Sequence, residues 1–151
     1  WLVNARVPYA AGCIGIAQEA RDMACGWVKQ RPTRDGMLMD KQAIQWMIAD
    51  SEVELKAARL LVYEAAARID AGEPGKVDAS ICKLYGTETA GRVVDRAIQM
   101  FGGMGVAQEM PLERWYRELR VKRIGEGPSE VHRMVIARDK LRNTDGGVYF
   151  G

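Results

Sequence analysis

Between Asp40 and Ala71 large and small residues recur with a seven-residue period. Ile48, Leu55, Val62 and Ile69 make one row; Ile44, Ser51, Ala58 and Ala65 make the row beside it. A strand has no use for this spacing, because its side chains change face at every residue. On a helix the two rows merge into one narrow stripe with large beside small, which is what closely packed bundle helices require. The segment therefore predicts a helix over about 40–71, with Ile48, Leu55 and Val62 in a core. Gly72-Glu73-Pro74-Gly75 closes it, with glycine at the stop and proline just beyond.

The same period organises the rest of the chain. From Val7 to Gln30, Ile14, Ala17, Ala24 and Val28 recur at helical spacing. Gly12, Gly15 and Gly26 weaken that helix by about 1 kcal/mol each, which predicts the close approach of a neighbouring helix there. Arg31-Pro32-Thr33-Arg34-Asp35-Gly36 breaks the pattern. A third helix is expected over about 78–101, with Cys82, Tyr85, Val93, Ala97 and Met100 near one face, stopping at Gly102-Gly103-Met104-Gly105. A short helical piece follows Pro111, from Leu112 to Leu119. The last helix is expected over about 128–142, with Pro128 at its first position, Val131, Val135, Ile136 and Leu141 as its apolar stripe, and fraying from Asp145. No run of β-branched or aromatic residues alternates with polar ones, so strands are not expected. Four long helices with short loops predict an all-α fold, an antiparallel up-down-up-down four-helix bundle in a single domain over 1–151, with Val93, Ala97 and Val135 also buried.

A chain of 151 residues buries roughly 68–70% of its unfolded surface, enough for a core without staples. Aromatics make up only 7% of it, so aliphatics, alanine and the 8 methionines must build that core. The net charge of +2, from 22 basic and 20 acidic residues, is too balanced for a nucleic-acid or membrane-surface partner acting through bulk field. The basic run Arg114, Arg117, Arg120, Lys122 and Arg123 is diluted by Glu113 and Glu118 and reads as a solvated face. Cys13, Cys25 and Cys82 lack metal-ligand spacing and lie in apolar runs, which favours free thiols in a reducing compartment, cytoplasmic or the mitochondrial matrix in a eukaryote. His132, the one histidine, has no Cys or His ligand near it, so a surface or interface place is expected and no metal site. No apolar stretch approaches the ~20 residues of a membrane span. No signal peptide opens the chain, and the start without methionine reads as a fragment or processed product.

Two segments carry more than packing. In Gln99-Met100-Phe101-Gly102-Gly103-Met104-Gly105, clustered glycines let the backbone approach another group and offer N–H donors, although a plain helix stop has the same composition. In Ile124-Gly125-Glu126-Gly127-Pro128-Ser129-Glu130, a carboxylate stands between two glycines at a helix start. Either it faces a flat ligand, or it simply favours the positive end of the following helix.

Taken in order, Gln-x-x-Gly-Gly-x-Gly, then Pro111-x-Glu113-Arg114-x-Tyr116-Arg117, then Gly-Glu-Gly-x-Ser-Glu-Val resembles the acyl-CoA dehydrogenase family. Ala57-Ala58-Arg59-Leu60-Leu61, Lys83-Leu84-Tyr85, and Arg31 followed eleven residues later by Gln42 resemble it too. The resemblance runs from Arg6 to about Arg142. It implies the carboxy-terminal helical domain of a flavoenzyme whose amino-terminal helical and middle β domains are not in this chain. It also implies FAD as cofactor, an acyl-CoA thioester as substrate, an electron-transfer flavoprotein as partner, and a homodimer or homotetramer. By that resemblance Glu126 is the base that removes the α-proton, and a carboxylate desolvated by its ligands is the stronger base for it. Its backbone N–H polarises the thioester carbonyl. Gly127 and Arg6 lie by the substrate, and Arg31, Gln99, Gly102 and Gly103 meet the FAD of a neighbouring subunit. An acyl-CoA oxidase would share the bundle and the base. A non-catalytic helical oligomerisation module would share only the bundle, and would have no reason to keep Glu126.

The chain departs from the family pattern at four places. Arg31-Pro32-Thr33-Arg34-Asp35 stands for Arg-x-x-Phe-Gly. Pro128 stands for a hydroxyl residue, Glu130 for an amide, and Val3 for an acidic residue.

Overall fold

The computed structural model describes residues 2–144, and the side chains of 5–144. The expected fraying from Asp145 and the side chain of Val3 lie outside the described residues. The described chain is all-α, with five helices: α1 (Leu2–Gln30), α2 (Gln42–Asp70), α3 (Lys76–Phe101), α4 (Pro111–Lys122) and α5 (Ser129–Asn143). The third is the axis of the molecule, packing against each of the other four.

The seam on α2 is real: Ile44, Ser51, Leu55, Ala58, Val62 and Ala65 are buried. Ile48, expected in the core, is only half-buried, because it flanks the stripe and packs onto it from the side. The helix stops as expected. The Glu73 N–H reaches the Arg68 carbonyl and the Gly72 N–H the Ile69 carbonyl, both at 3.0 Å, the paired closure of a Schellman motif. The opposite face of α2 is also apolar, yet Trp46, Val53, Leu60 and Tyr63 stand exposed along it.

On α3 the buried row is Ala79, Lys83, Gly86, Ala90, Val93, Ala97 and Met100, spaced alternately by four and three. Small members let α1 in close: a β-carbon on Gly86 would lie 3.2 Å from that of Ala10. The expected intimacy at Gly12, Gly15 and Gly26 is not there. Each looks onto open space, because the buried face of α1 runs instead through Val7, Ala10, Ile14, Ala17, Ala20, Ala24 and Val28. Ion pairs fasten the exterior. Glu54 of α2 meets Arg96 at 2.9 Å and Arg92 at 3.2 Å on α3, and Glu88 of α3 holds Arg133 of α5 at 2.7 Å.

Several expectations are corrected. The first helix begins at Leu2, not near 7, with Pro8 inside it; its exposed position near the start leaves few helical bonds to break. A minimal hairpin, β1 (Pro32–Thr33) and β2 (Gly36–Met37), follows Arg31. Two-residue strands are too short for any alternation to announce them. Pro128 is the residue before α5 and not its first. The stripe expected on α5 is mostly open: Val135 is half-buried, Val131 and Leu141 are exposed, and Ser129 and His132 are what this helix buries. The helix packs on α3 and turns Ser129 and His132 inward. His132 is accordingly fully buried, against the surface or interface place expected of it.

The thiols of Cys13, Cys25 and Cys82 are free, with Cys13 and Cys82 buried, and burial raises the Cys82 thiol to about 11. Arg114, Arg117 and Arg120 of the basic run are exposed, with Arg117 paired to Glu113 at 3.0 Å and Arg114 to Glu118 at 3.9 Å, whereas Lys122 and Arg123 at its end are half-buried beside Tyr9 and Glu88. Among the described residues no helix is long and apolar enough to cross a membrane, and no cluster of ligands could hold a metal ion.

Leu55 and Leu60 lie on one helix with exposures of 1% and 61%. In urea denaturation of the isolated domain, Leu55→Ala is expected to cost about 2–5 kcal/mol. Leu60→Ala should stay within about 0.5 kcal/mol of wild type. Equal losses would contradict the packing described.

Candidate active site

The loop from Arg123 to Ser129 joins α4 to α5 and is closed by the Ser129 N–H, which donates to the Arg123 carbonyl at 3.2 Å. Within it, Glu126 has φ 57° and Gly127 φ 99°. Two successive left-handed residues turn the chain sharply and lift the glutamate out of line with either helix. A left-handed glutamate is uncommon and persists only where its surroundings enforce it.

Those surroundings come from three helices. The Arg6 Nε of α1 donates to the Glu126 carbonyl at 3.2 Å. The Lys83 Nζ of α3 donates to the Gly127 carbonyl at 2.6 Å and to that of Arg123 at 3.3 Å. The His132 ring of α5 lies behind Gly127, where a β-carbon would stand 3.2 Å from its Nε2 and 3.6 Å from a guanidinium nitrogen of Arg6. Gly125 is bare for a similar reason: a β-carbon there would strike the Tyr9 hydroxyl at 2.8 Å. A side chain at either position would have to displace these neighbours, and at Gly127 the dihedral favours glycine as well.

The electrostatics are those of a crowded polar site. Burial, and then the charges of Lys83 and Arg6, hold the His132 imidazole below its ordinary 6.5. Burial also lowers the Lys83 ammonium. Burial, and then the charges of Cys13 and Glu126, push the Tyr9 phenol up, so it stays protonated. Among the described residues, Glu126 Oε2 is a buried polar atom without a hydrogen-bond partner. Buried polar atoms in a folded protein are nearly always satisfied, so a buried oxygen left without a partner on this carboxylate marks a place built to meet another group.

Of the expected site residues, Glu126, Gly127 and Arg6 thus come together. Arg31, Gln99, Gly102 and Gly103 also come together, elsewhere. They line a cleft of about 580 Å³ between the end of α1, the start of α2 and the end of α3. Its floor is Trp27 stacked on Phe101, centroids 5.0 Å apart and planes within 13°, with the Arg31 guanidinium 5.8 Å from the Trp27 ring centre. Gly102 at φ 63° turns the backbone out into this cleft. Arg6 lies in the first turns of α1 and Arg31 just past its end, 25 residues on and roughly 37 Å along the helix axis, so the two groups do not share one site within a chain. Sequence reasoning missed Lys83 and His132 as site residues. The available signal was a lysine at a seam position of α3, among alanines and a glycine.

Comparison with known proteins places these features. Residues 2–141 match the family model for the acyl-CoA dehydrogenase C-terminal domain. The chain is 43% identical over 137 residues to a 3-(aryl)acrylate reductase of Clostridium sporogenes, covering 91% of this chain and 36% of that protein. It is 39% identical over 142 residues to the mitochondrial short-chain specific acyl-CoA dehydrogenase of Bos taurus, covering 94% and 34%. The butyryl-CoA dehydrogenase of Megasphaera elsdenii superposes with a TM-score of 0.90 at 38% identity, over 93% of this chain and 37% of that one. The chain thus spans about a third of the length of these relatives.

Because His132 is held neutral, the unfolded chain takes up a proton near pH 6.5 that the folded chain refuses. The stability linked to this residue is therefore complete above pH 6.5 and is lost as pH falls below it, at up to about 1.4 kcal/mol per pH unit. Urea midpoints measured between pH 7.5 and 5 should fall on the acid side in wild type and flatten in His132→Gln. An unchanged slope in the variant would assign the titration elsewhere.

Proposed function

Since the chain belongs to the acyl-CoA dehydrogenase family, as its carboxy-terminal domain, we propose that it is the helical part of a flavoenzyme that dehydrogenates an acyl-CoA thioester between its α and β carbons, with Glu126 as the base. The observation that carries this is the left-handed Glu126, its carbonyl held by Arg6 of α1 and the carbonyls flanking it by Lys83 of α3, while one carboxylate oxygen is buried without a partner. A group fixed through its main chain leaves its side chain free for chemistry. Glu126 removes the α-proton; Arg6 and Gly127 wall the substrate, and the Glu126 N–H polarises the thioester carbonyl. FAD, when bound, supplies the acceptor for the β-hydride. Run backwards, protonated Glu126 returns the α-proton, the direction in which the similar Clostridium sporogenes reductase is named.

The cleft at the other end of α1 fits a dinucleotide cofactor by its chemistry: an aromatic floor, a guanidinium suited to phosphate, an amide, and a backbone without side chains at Gly102 and Gly103. At roughly 37 Å along the helix from Arg6, it lies beyond the reach of a flavin nucleotide engaged at Glu126 of the same chain. It is read as the grip on a partner subunit's FAD. The enzyme is then a homodimer or homotetramer of up-down-up-down bundles that shares its sites between copies, with an electron-transfer flavoprotein taking the electrons onward. The exposed apolar face of α2 suits such an assembly.

In the full-length enzyme, Glu126→Gln should keep FAD and bind acyl-CoA but lose about 10²–10⁴ in the rate of flavin reduction. Stopped-flow bleaching within about twofold of wild type would show that another residue is the base. Light scattering of the 16.8 kDa domain at micromolar concentration should give a dimer or tetramer; a clean monomer would defeat the shared-site reading of Arg31.

A further inference from the structure

Lys83 is 0% exposed and sits in the buried seam of α3, between Ala79 and Gly86. Taking an ammonium out of water costs several kcal/mol unless its partners are well placed, so an apolar side chain would suit this seam better if packing were all that mattered. Among the described residues the ammonium makes no ion pair; its hydrogen bonds go to main-chain carbonyls. They are the carbonyls of Arg123 at 3.3 Å and Gly127 at 2.6 Å, one on each side of Glu126. The carbonyl between them, of Glu126 itself, is taken by Arg6 at 3.2 Å. Three carbonyls of one short loop are thus gathered onto two cations from two different helices.

Gathered carbonyls repel one another through their partial negative charges, and the left-handed pair at 126 and 127 brings them into that arrangement. A cation at the focus reverses the sign of the interaction. We propose that Lys83 is a positioning residue for Glu126: by drawing the flanking carbonyls together it keeps the loop in its left-handed form and aims the carboxylate at the substrate. Lys83 acts through Glu126 and need not touch the substrate. The proposal rests on the reading of Glu126 as the base and adds the group that makes that base effective. Arg6 cannot replace Lys83, since its guanidinium is committed to the middle carbonyl and approaches from α1. His132, neutral and behind Gly127, supplies bulk without charge.

The test uses the full-length, FAD-loaded enzyme and four proteins: wild type, Lys83→Met, Glu126→Gln and the double variant. Methionine keeps the length of the side chain and suits the seam, but binds no carbonyl. Lys83→Met should slow flavin reduction about 10²-fold, the penalty of a misplaced reacting group. KM for acyl-CoA should stay within about threefold of wild type. In the Glu126→Gln background the same change should add almost nothing, because a residue acting only through Glu126 has nothing left to act on. Apart from activity, hydrogen exchange in a peptide covering 124–128 should speed up at least about tenfold in Lys83→Met as the loop loosens.

If Lys83→Met does not retain FAD, Lys83→Gln, whose amide reaches one carbonyl, is read in the same way. Flavin loss from both would make Lys83 a folding residue and overturn the positioning role. Reduction by Lys83→Met within about twofold of wild type, unchanged exchange in the loop, or a full further loss in the double variant would each overturn it too. These results leave Glu126 as the base. Wild-type reduction by Glu126→Gln alone would instead remove the reading beneath the proposal, and the proposal with it.

Discussion

The interaction on which the most depends is the pair of hydrogen bonds from one buried ammonium to the main chain of the loop between α4 and α5. It ties the middle of the molecule, α3, to the one segment whose conformation no local preference supports. Without that tie, α4 and α5 would be joined by a glycine-rich turn free to choose among shapes. With it, α1 and α3 converge on one short loop, and the desolvation of Lys83 is offset by carbonyls that need a donor as much as the lysine needs acceptors.

The convergence requires α1 and α3 to lie close together, and the small residues see to this. Ala79, Gly86, Ala90 and Ala97 on α3 face Ala10, Ala17, Ala20 and Ala24 of α1, all buried. Backbones so near leave room for few large side chains, so the core is broad and shallow, with its volume in Leu55, Leu112, Leu119 and the valines of α1 and α3. The exterior ion pairs then register the helices. Burial would raise the Glu54 and Glu88 carboxyls, but Arg96 and Arg92 outweigh it at Glu54, and Arg133 and Arg123 at Glu88, so both end below the usual carboxylate range. The stability they add is present above that range and is lost as pH falls through it.

How much of this was legible follows the range of the forces. The α2 seam repeats over nearly thirty residues, and a pattern that long survives errors at its ends, so the helix and its buried row could be read directly from the sequence. The start of α1 could not be, because Pro8 reads as a break unless one knows that it lies on an exposed face near the helix end. On α5, Val131 and Leu141 mimic an apolar stripe, yet the helix turns Ser129 and His132 inward where it packs on α3. Glu126 was found through its glycines and the order of motifs around it. Its supports, Lys83 and His132, were missed, because what defines them is a contact with main-chain atoms, which leaves no signature in side-chain composition beyond a charge in a core register.

Glu126 holds a dihedral that a glutamate adopts at an expense of roughly 1–2 kcal/mol and a glycine adopts freely. Replacing it with glycine would relax the loop, so the chemically silent protein should be the more stable one. The residue is thus a place where stability and activity trade against each other. A glutamate at this position, in a conformation it disfavours, sets the chemistry of its side chain against the preference of its backbone.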